Sequence, residues 1–524
     1  MRPNRPLNIS PPPGDHYGEP LRQALNTTPQ NNALILQLIV SLVSGEHIDA
    51  AEAAAAEIRD STTAAEAWRI ICRTHCQAQR LTRARAAIET AIQHTPKSST
   101  LRFERALVLS EQGSCQESLH ELESLVRLSG DTPALSLQLA RTFCLAGDFS
   151  AAEKRLEGAV QRWPTEPQFY VLLARLRWQR GLSDQSTLHL ERAIAAFPRE
   201  FRLRLVAADL LRQAGYLQRA LDLLQEGLRA VPDSTAFMTS VGVVLDRLDR
   251  PADALSYLRA AVVRAPASAT FKRNLIPTLL RLAEPSEALA LCNELAGQTP
   301  NDQQVLAYRT TALRMLGHAE YAVLHNYQRL VRVYRPVPPG FSDIGEFNSA
   351  LATEVLRLHD REQRPLDQSL RGGTQTDRNL PQDNPVFAAF FAMIDAPIRD
   401  YVARLEEGSS HPTDRRKAAN YRIAGSWSVR LQPGGFHINH VHPMGWLSSA
   451  YYIDLPDGVG NEDSRAGWLK FGEPGSPTPG CTPDHFVRPE EGMLVLFPSY
   501  MWHGTVTFHE GGHRLTAAFD VVPA

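Results

Sequence analysis

Cysteine is scarce and unpatterned. Six residues (Cys72, Cys76, Cys115, Cys144, Cys292 and Cys481) are scattered over 524, without a CxxC pair or framework spacing. That excludes a disulfide scaffold, and the six read as small core residues in a reducing compartment. Long apolar runs are missing too. The stretch ALILQLIVSLV near the N-terminus has about 11 residues, where roughly 20 are needed to span a bilayer. The leading MRPNRPLNISPPPGDHYGEP holds no apolar segment of the kind a signal peptide needs. Basic charge is not in excess: the formal net charge is −2, with 21% charged residues. This leaves no electrostatic case for nucleic acid, which needs a basic face. A cytoplasmic protein with neither membrane nor nucleic acid as partner is expected. Its length exceeds one compact core, so two or three domains are expected.

Proline, by contrast, is present and periodic. It falls at 96, 164, 198, 232, 266 and 300, and every gap is 34 or a multiple of it. Cutting at that period gives nine units, beginning at 33, 67, 101, 135, 169, 203, 237, 271 and 305. The thirteenth place is glycine in six of them (Gly45, Gly113, Gly147, Gly181, Gly215, Gly317), and the eighteenth is small in all, from Ala50 to Ala322. Apolar residues recur at helical spacing on either side of Gly215, which describes two amphipathic helices and a turn. The small residue lets the second helix lie close to the first, and the proline ends it. In two of the other three units Asp249 and Ala283 stand in place of the turn glycine, an irregularity that suggests altered curvature. Period and pattern over 33–338 resemble the tetratricopeptide repeat. The resemblance implies an all-α solenoid whose stacked units share one core and offer a concave surface to a protein or peptide. A spacer or oligomerisation scaffold is the alternative.

The pattern breaks at RPVPPGFSD. A lead-in at 339–417 follows, with helical runs near 345–359 and 385–406 and a loop or strand end at LRGGTQT, while 1–32 is expected to be disordered. From about 418 the period becomes two and turn residues multiply. Seven or eight short strands suggest a jelly roll, among them the double-stranded β-helix. Here FHINHVHPMGW packs three histidines into six residues. His440 and His442, two apart, share one strand face and can chelate one metal; His437 falls on the opposite face with Asn439 and is expected to point away. His503 follows the apolar MLVLFP. Eleven residues later come Arg514, which can grip a carboxylate bidentately, and Thr516 on the same face. Close histidines, a distant histidine and a buried arginine describe an iron site with a 2-oxo acid co-substrate.

HVHP at 440–443, LSSAYY at 447–452, GWLKFGEP at 467–474, GMLVLFPSYMWH at 492–503 and RLT at 514–516 together resemble the iron(II)- and 2-oxoglutarate-dependent oxygenases, in particular a subfamily marked by HxHP. LRGGTQT resembles that group's upstream motif. The resemblance covers roughly 365–524 and implies Fe(II), 2-oxoglutarate and O2, with ascorbate as a support. It implies oxidative decarboxylation to succinate and hydroxylation of a substrate, with His440 and His503 as metal ligands. His442 stands where the wider superfamily has Asp or Glu. Either His442 is the third ligand, which is preferred, or a carboxylate such as Asp454 or Glu473 reaches in, or the metal is held weakly. Arg514, Thr516 and one of Tyr451 and Tyr452 are expected to hold the co-substrate. Tyr452 is preferred because it shares parity with His440 and His442. Arg371 and Trp446 are candidates for the substrate rim, although Arg371 could equally cap a local turn. Trp427, Phe471 and Phe497 read as core, and His509 and His513 as surface or rim. The expected activity is hydroxylation of a protein or peptide held by the repeats. An inactive repeat scaffold, or an oxygenase for a small molecule or glycan, are the alternatives.

Overall fold

The computed structural model describes residues 21, 23–24, 31–44, 47–77, 80–359, 365–366, 368–376, 379–381, 384–459 and 462–524. Residues 1–20, the bulk of the segment expected to be disordered, and Gly45 lie outside them. The chain forms two compact units, Met1–Leu176 and Arg177–Ala524. No helix among the described residues is long and apolar enough to cross a membrane.

Helix pairs recur at the proline period in both units. In the first, Ser61–Gln77 is followed by Leu81–His94, Ser99–Glu111 by Cys115–Ser129, and Pro133–Leu145 by Phe149–Arg162. In the second, Phe201–Ala214 is followed by Leu217–Ala230, Thr235–Arg247 by Pro251–Arg264, and Ala269–Arg281 by Pro285–Gln298. Gly215 caps its helix at φ 92°, a left-handed conformation that glycine adopts without a Cβ penalty. Asp249 and Ala283 take the same conformation at φ 60° and 58°, so both turns keep their local geometry without glycine. The small residues Ala220, Ala254 and Ala288 are fully buried where the two helices of each pair meet.

The ninth unit departs from the pattern. After Gln303–Met315 its second helix is broken into Glu320–Leu324 and Tyr327–Leu330, and the chain then enters strand β1 (Arg332–Tyr334). The β-domain therefore begins before the boundary that composition places at 338. Strands β2 (Leu370–Gln375), β3 (Tyr421–His437), β4 (Leu447–Asp454), β7 (Leu494–Pro498) and β9 (Arg514–Pro523) join β1 in one antiparallel sheet, ordered β1-β7-β4-β9-β3-β2. A second sheet, β6-β5-β8, is built from β5 (Leu469–Phe471), β6 (His485–Val487) and β8 (His503–Thr505). β3 runs unbroken through YRIAGSWSVRLQPGGFH, longer than the short strands expected, and Ile438–His440 lie beyond its end. LRGGTQ is a full strand carrying a bulge: register shifts between Arg371 and Gly373, Gly372 has φ 66°, and a Cβ on Gly373 would lie 2.2 Å from the Arg430 carbonyl oxygen.

Alternation divides each strand between two environments. Leu515, Ala517, Phe519 and Val521 of β9, with Tyr451 of β4, pack beneath the helices Ile344–Arg357 and Pro385–Ala403. The opposite face, with Tyr452, Val495 and Phe497, packs with Leu469 and Phe471 of the smaller sheet. The result is an antiparallel β-sandwich with one helix-covered side. The last repeat is fastened to it. Trp502 Nε1 donates to Thr311 Oγ1 at 3.1 Å, the hydroxyls of Tyr321 and Tyr327 each donate to Asp484 at 2.6 Å, and Arg329 meets the fully buried Asp414 carboxylate at 3.1 Å.

Candidate metal and co-substrate site

Between β3 and β4 the chain leaves the sheet, and backbone pairing fixes where the histidines lie. His440 and His503 form a two-way antiparallel bridge, His440 N donating to the His503 carbonyl at 2.9 Å and His503 N to that of His440 at 3.1 Å. His442 N donates to the Ser499 carbonyl at 3.0 Å. One ligand atom from each of His440, His442 and His503 lies within 4.8 Å of the others.

Each ring also spends its Nδ1 on an acceptor. His440 Nδ1 meets the Ile438 carbonyl at 2.8 Å and His503 Nδ1 the Met501 carbonyl at 2.9 Å. His442 Nδ1 meets both carboxylate oxygens of Asp520 at 2.7 Å. An Nδ1–H donated in this way leaves Nε2 as a lone-pair donor, the tautomer a metal ligand needs. Burial, and then the neighbouring His442, brings the His440 pKa down to about 3. Burial with His440 and His442 holds His503 well below the usual range. Neutral imidazoles at physiological pH are the metal-binding form.

Neither carboxylate weighed as a third ligand takes part. Asp454 pairs with His513 at 3.4 Å, and Glu473 accepts from Asn439 at 2.8 Å and from Lys470 at 2.5 Å. Asp520, which sequence reasoning missed, stands behind His442 instead; its signal was its parity with Arg514 and Thr516 on β9. His437, expected to point away, lies beside His440 with ring centroids 5.7 Å apart, its Nδ1 3.2 Å from Ser369 Oγ. β3 ends at His437, so the two-residue alternation does not carry through to His440.

Arg514 and Tyr452 come from adjacent strands, in which Thr516 is the register partner of Tyr452. The Arg514 guanidinium carbon is 5.0 Å from the Tyr452 ring centroid, and both residues are buried. Arg514 Nε and the Tyr452 hydroxyl have no hydrogen-bond partner among the described residues. Burial lowers the Arg514 pKa and raises that of Tyr452, the latter against the pull of Arg514. Two buried donors without acceptors, one of them cationic, carry a desolvation cost that a carboxylate would offset. These orphaned donors fit a 2-oxo diacid, as the three histidines fit a divalent transition metal.

Of the remaining candidates, Arg371 lines a cavity that His440 also lines, and its Nη1 donates to the Gln368 and Leu370 carbonyls at 3.0 and 2.7 Å. It thus both braces its turn and faces the cavity. Trp446 is not on a rim. It is 1% exposed, its Nε1 donates to the Thr413 carbonyl at 2.9 Å, and it packs in the helix-covered core, because it directly precedes β4. Phe497 packs edge-on against His503 at 4.7 Å, and Trp427 lies 5.5 Å from His442.

Comparison with known proteins agrees with both halves. The family model described as "Putative 2OG-Fe(II) oxygenase" matches residues 425–520, and the "Tetratricopeptide repeat" model matches 137–186, 171–235 and 242–303. No curated protein matches the chain. Among solved structures, yeast Tom70 is similar at TM-score 0.39 and 15% identity, covering 60% of this chain; the chain spans 61% of that protein's length. A tetratricopeptide repeat protein from Parabacteroides merdae is similar at TM-score 0.33 and 13% identity, over 48% of this chain and 98% of that one. The chain joins tetratricopeptide repeats to a domain of the "Putative 2OG-Fe(II) oxygenase" family.

Proposed function

We propose that the protein is a cytoplasmic iron(II)- and 2-oxoglutarate-dependent dioxygenase that hydroxylates a protein or peptide held by its repeats. The observation that carries this reading is the convergence of His440, His442 and His503, each with Nδ1 already committed, beside the unpartnered donors of Arg514 and Tyr452. His440, His442 and His503 would hold the iron through Nε2. Iron(II), with 2-oxoglutarate and O2, supplies the oxidising chemistry when bound. Arg514, assisted by the hydroxyls of Tyr452 and Thr516, would bind the far carboxylate of 2-oxoglutarate and so orient it. Phe497 and Phe471 pack against the His503 ring, with centroids 4.7 and 6.4 Å from it, and would shield that ligand from water. The cavity beside His440 gives a substrate side chain its approach.

The test is succinate formation by the purified protein with iron(II), ascorbate and 2-oxoglutarate, expected to rise when the bound partner is added. Arg514→Ala should weaken 2-oxoglutarate binding by roughly 30-fold or more, the loss from truncating one partner of a buried charge pair. Unchanged succinate formation at limiting 2-oxoglutarate in that variant would remove the assignment. The all-histidine cluster motivates a second reading, an inactive scaffold. Iron analysis separates the two, since a chain that retains no iron and shows no anaerobic iron/2-oxoglutarate absorption band is a scaffold. An oxygenase for a small molecule or glycan would turn over its substrate without any protein partner.

A further inference from the structure

The cavity next to His440 has a volume of about 620 Å³ and draws its lining from two parts of the second unit. Arg212, Arg247 and Tyr308 come from repeat helices, and Arg371, Asn439 and His440 from the β-domain. Three arginines line it, and among the described residues no aspartate or glutamate does, in a chain of formal net charge −2.

The three cations are not equivalent. Arg212 is held by Asp209, with Nη2 to Oδ1 at 2.6 Å. Arg371 is spent on backbone carbonyls. Asp246, next to Arg247 in sequence, is itself engaged by Arg281 at 3.2 Å and by Thr278 at 3.0 Å. The Arg247 side chain makes no hydrogen bond or ion pair among the described residues, and it lines both this cavity and the adjoining one, where Asp209 and Asp246 also lie. Arg247 is exposed at the cavity wall, and its guanidinium offers five N–H donors in a planar fork, the geometry that matches a carboxylate.

We infer that Arg247 is a substrate-recognition residue, binding a carboxylate side chain in an acidic polypeptide segment whose neighbouring residue reaches toward His440. This rests on the reading of the site as a peptidyl oxygenase and narrows its substrate class. The 2-oxoglutarate carboxylate already has Arg514, inside the sandwich, so Arg247 is left for the other substrate. A nucleic-acid backbone would need an extended basic face, and the cavity supplies three arginines in a chain of formal net charge −2.

The test uses the full-length protein without iron or 2-oxoglutarate. Fluorescence anisotropy would compare labelled 12-residue peptides that differ only in a central Asp, Asn or Lys cluster, with a dT12 oligonucleotide as a fourth probe. The Asp peptide is expected to bind about ten-fold tighter than its Asn counterpart, the size of one charge-assisted hydrogen bond, and to weaken with salt. Arg247→Gln should abolish that preference, and Arg247→Met, which keeps the aliphatic stem, gives the same comparison should the first variant not fold. Equal binding of the Asp and Asn peptides, an undiminished preference in the folded variant, or tighter binding of dT12 each overturns the inference. Because no turnover is measured, such a failure leaves the oxygenase reading standing, whereas a protein that forms no succinate but keeps the Asp preference would leave Arg247 a peptide-binding residue without a substrate role.

Discussion

At the scale of single residues, the unusual feature is where the negative charge sits. A ligand set of three neutral imidazoles leaves a divalent cation unneutralised, yet Asp520 grips His442 Nδ1 through both carboxylate oxygens. Ser448 Oγ donates to the same carboxylate at 2.7 Å and lies 2.9 Å from Ser499 Oγ, so Asp520 is fixed in place. The carboxylate fixes the His442 ring and supplies negative charge on the side of that ring opposite Nε2. Asp520→Asn keeps the shape and removes the charge. Iron(II) affinity, read by anaerobic metal titration, is expected to fall about 10- to 100-fold with the thermal melt of the metal-free protein little changed. Unaltered affinity would make Asp520 a mere structural neighbour. The ligand candidates were legible in the sequence because their spacing and their distance from Arg514 form a pattern. Asp520 was legible only as a residue in parity with Arg514 and Thr516, because its role is defined by the His442 ring it touches. Trp446 misled for the opposite reason, since an aromatic beside HVHP faces the helices once the strand pairing is known.

At the scale of elements, the repeat turns show backbone geometry overriding local preference. Ala283 ends its helix at φ 58°, where its Cβ crowds the following carbonyl at a cost of roughly 1–2 kcal/mol. Ala283→Gly should therefore stabilise the protein by about 0.5–1 kcal/mol, after allowing for the greater freedom of glycine in the unfolded chain. A chemical-denaturation midpoint that stays put or falls would contradict this. Asp249 is a poorer site for the same change, because its carboxylate also accepts from the Arg281 guanidinium. Helix starts carry a signal at the same period that proline and glycine overshadow. Ser98, Thr132, Ser234, Ser268 and Asp302 each accept a backbone N–H in the first turn of the helix that follows. The helix pairs were legible because 3.6-residue periodicity and capping are local properties. The bulge in LRGGTQ was not, because it depends on the close approach of Gly373 to Arg430 on another strand.

At the scale of the whole molecule, the junction of repeats and sandwich decides what can be separated and how acid acts. Composition puts the boundary at the prolines after 334, but β1 pairs Arg332 with Leu496, a contact no local pattern reveals. A fragment 339–524 would lose that strand and bare Trp502 and Tyr500, so it is expected to aggregate or melt without cooperativity, whereas 177–524 melts in a single transition. Two equally sharp melts would refute the fastening. The same junction holds His325, 6% exposed, whose Nδ1 has no partner among the described residues and whose ring stacks on Tyr321 at 4.6 Å. Burial lowers its pKa to about 4, and it does the same for His411 and His359. Below the unfolded value near 6.5 the unfolded chain takes up protons that the folded chain refuses. Their contribution is thus intact above pH 6.5 and is lost as pH falls toward 4, by up to about 1.4 kcal/mol per group per pH unit. Carboxylates act in the same direction, so the slope alone does not identify the histidines. His325→Phe does, because it keeps the stacked ring and cannot take a proton. Between pH 7.5 and 5, in the presence of a chelator, the wild-type Tm should drop further than that of His325→Phe. Equal drops would mean that His325 accepts its proton without unfolding.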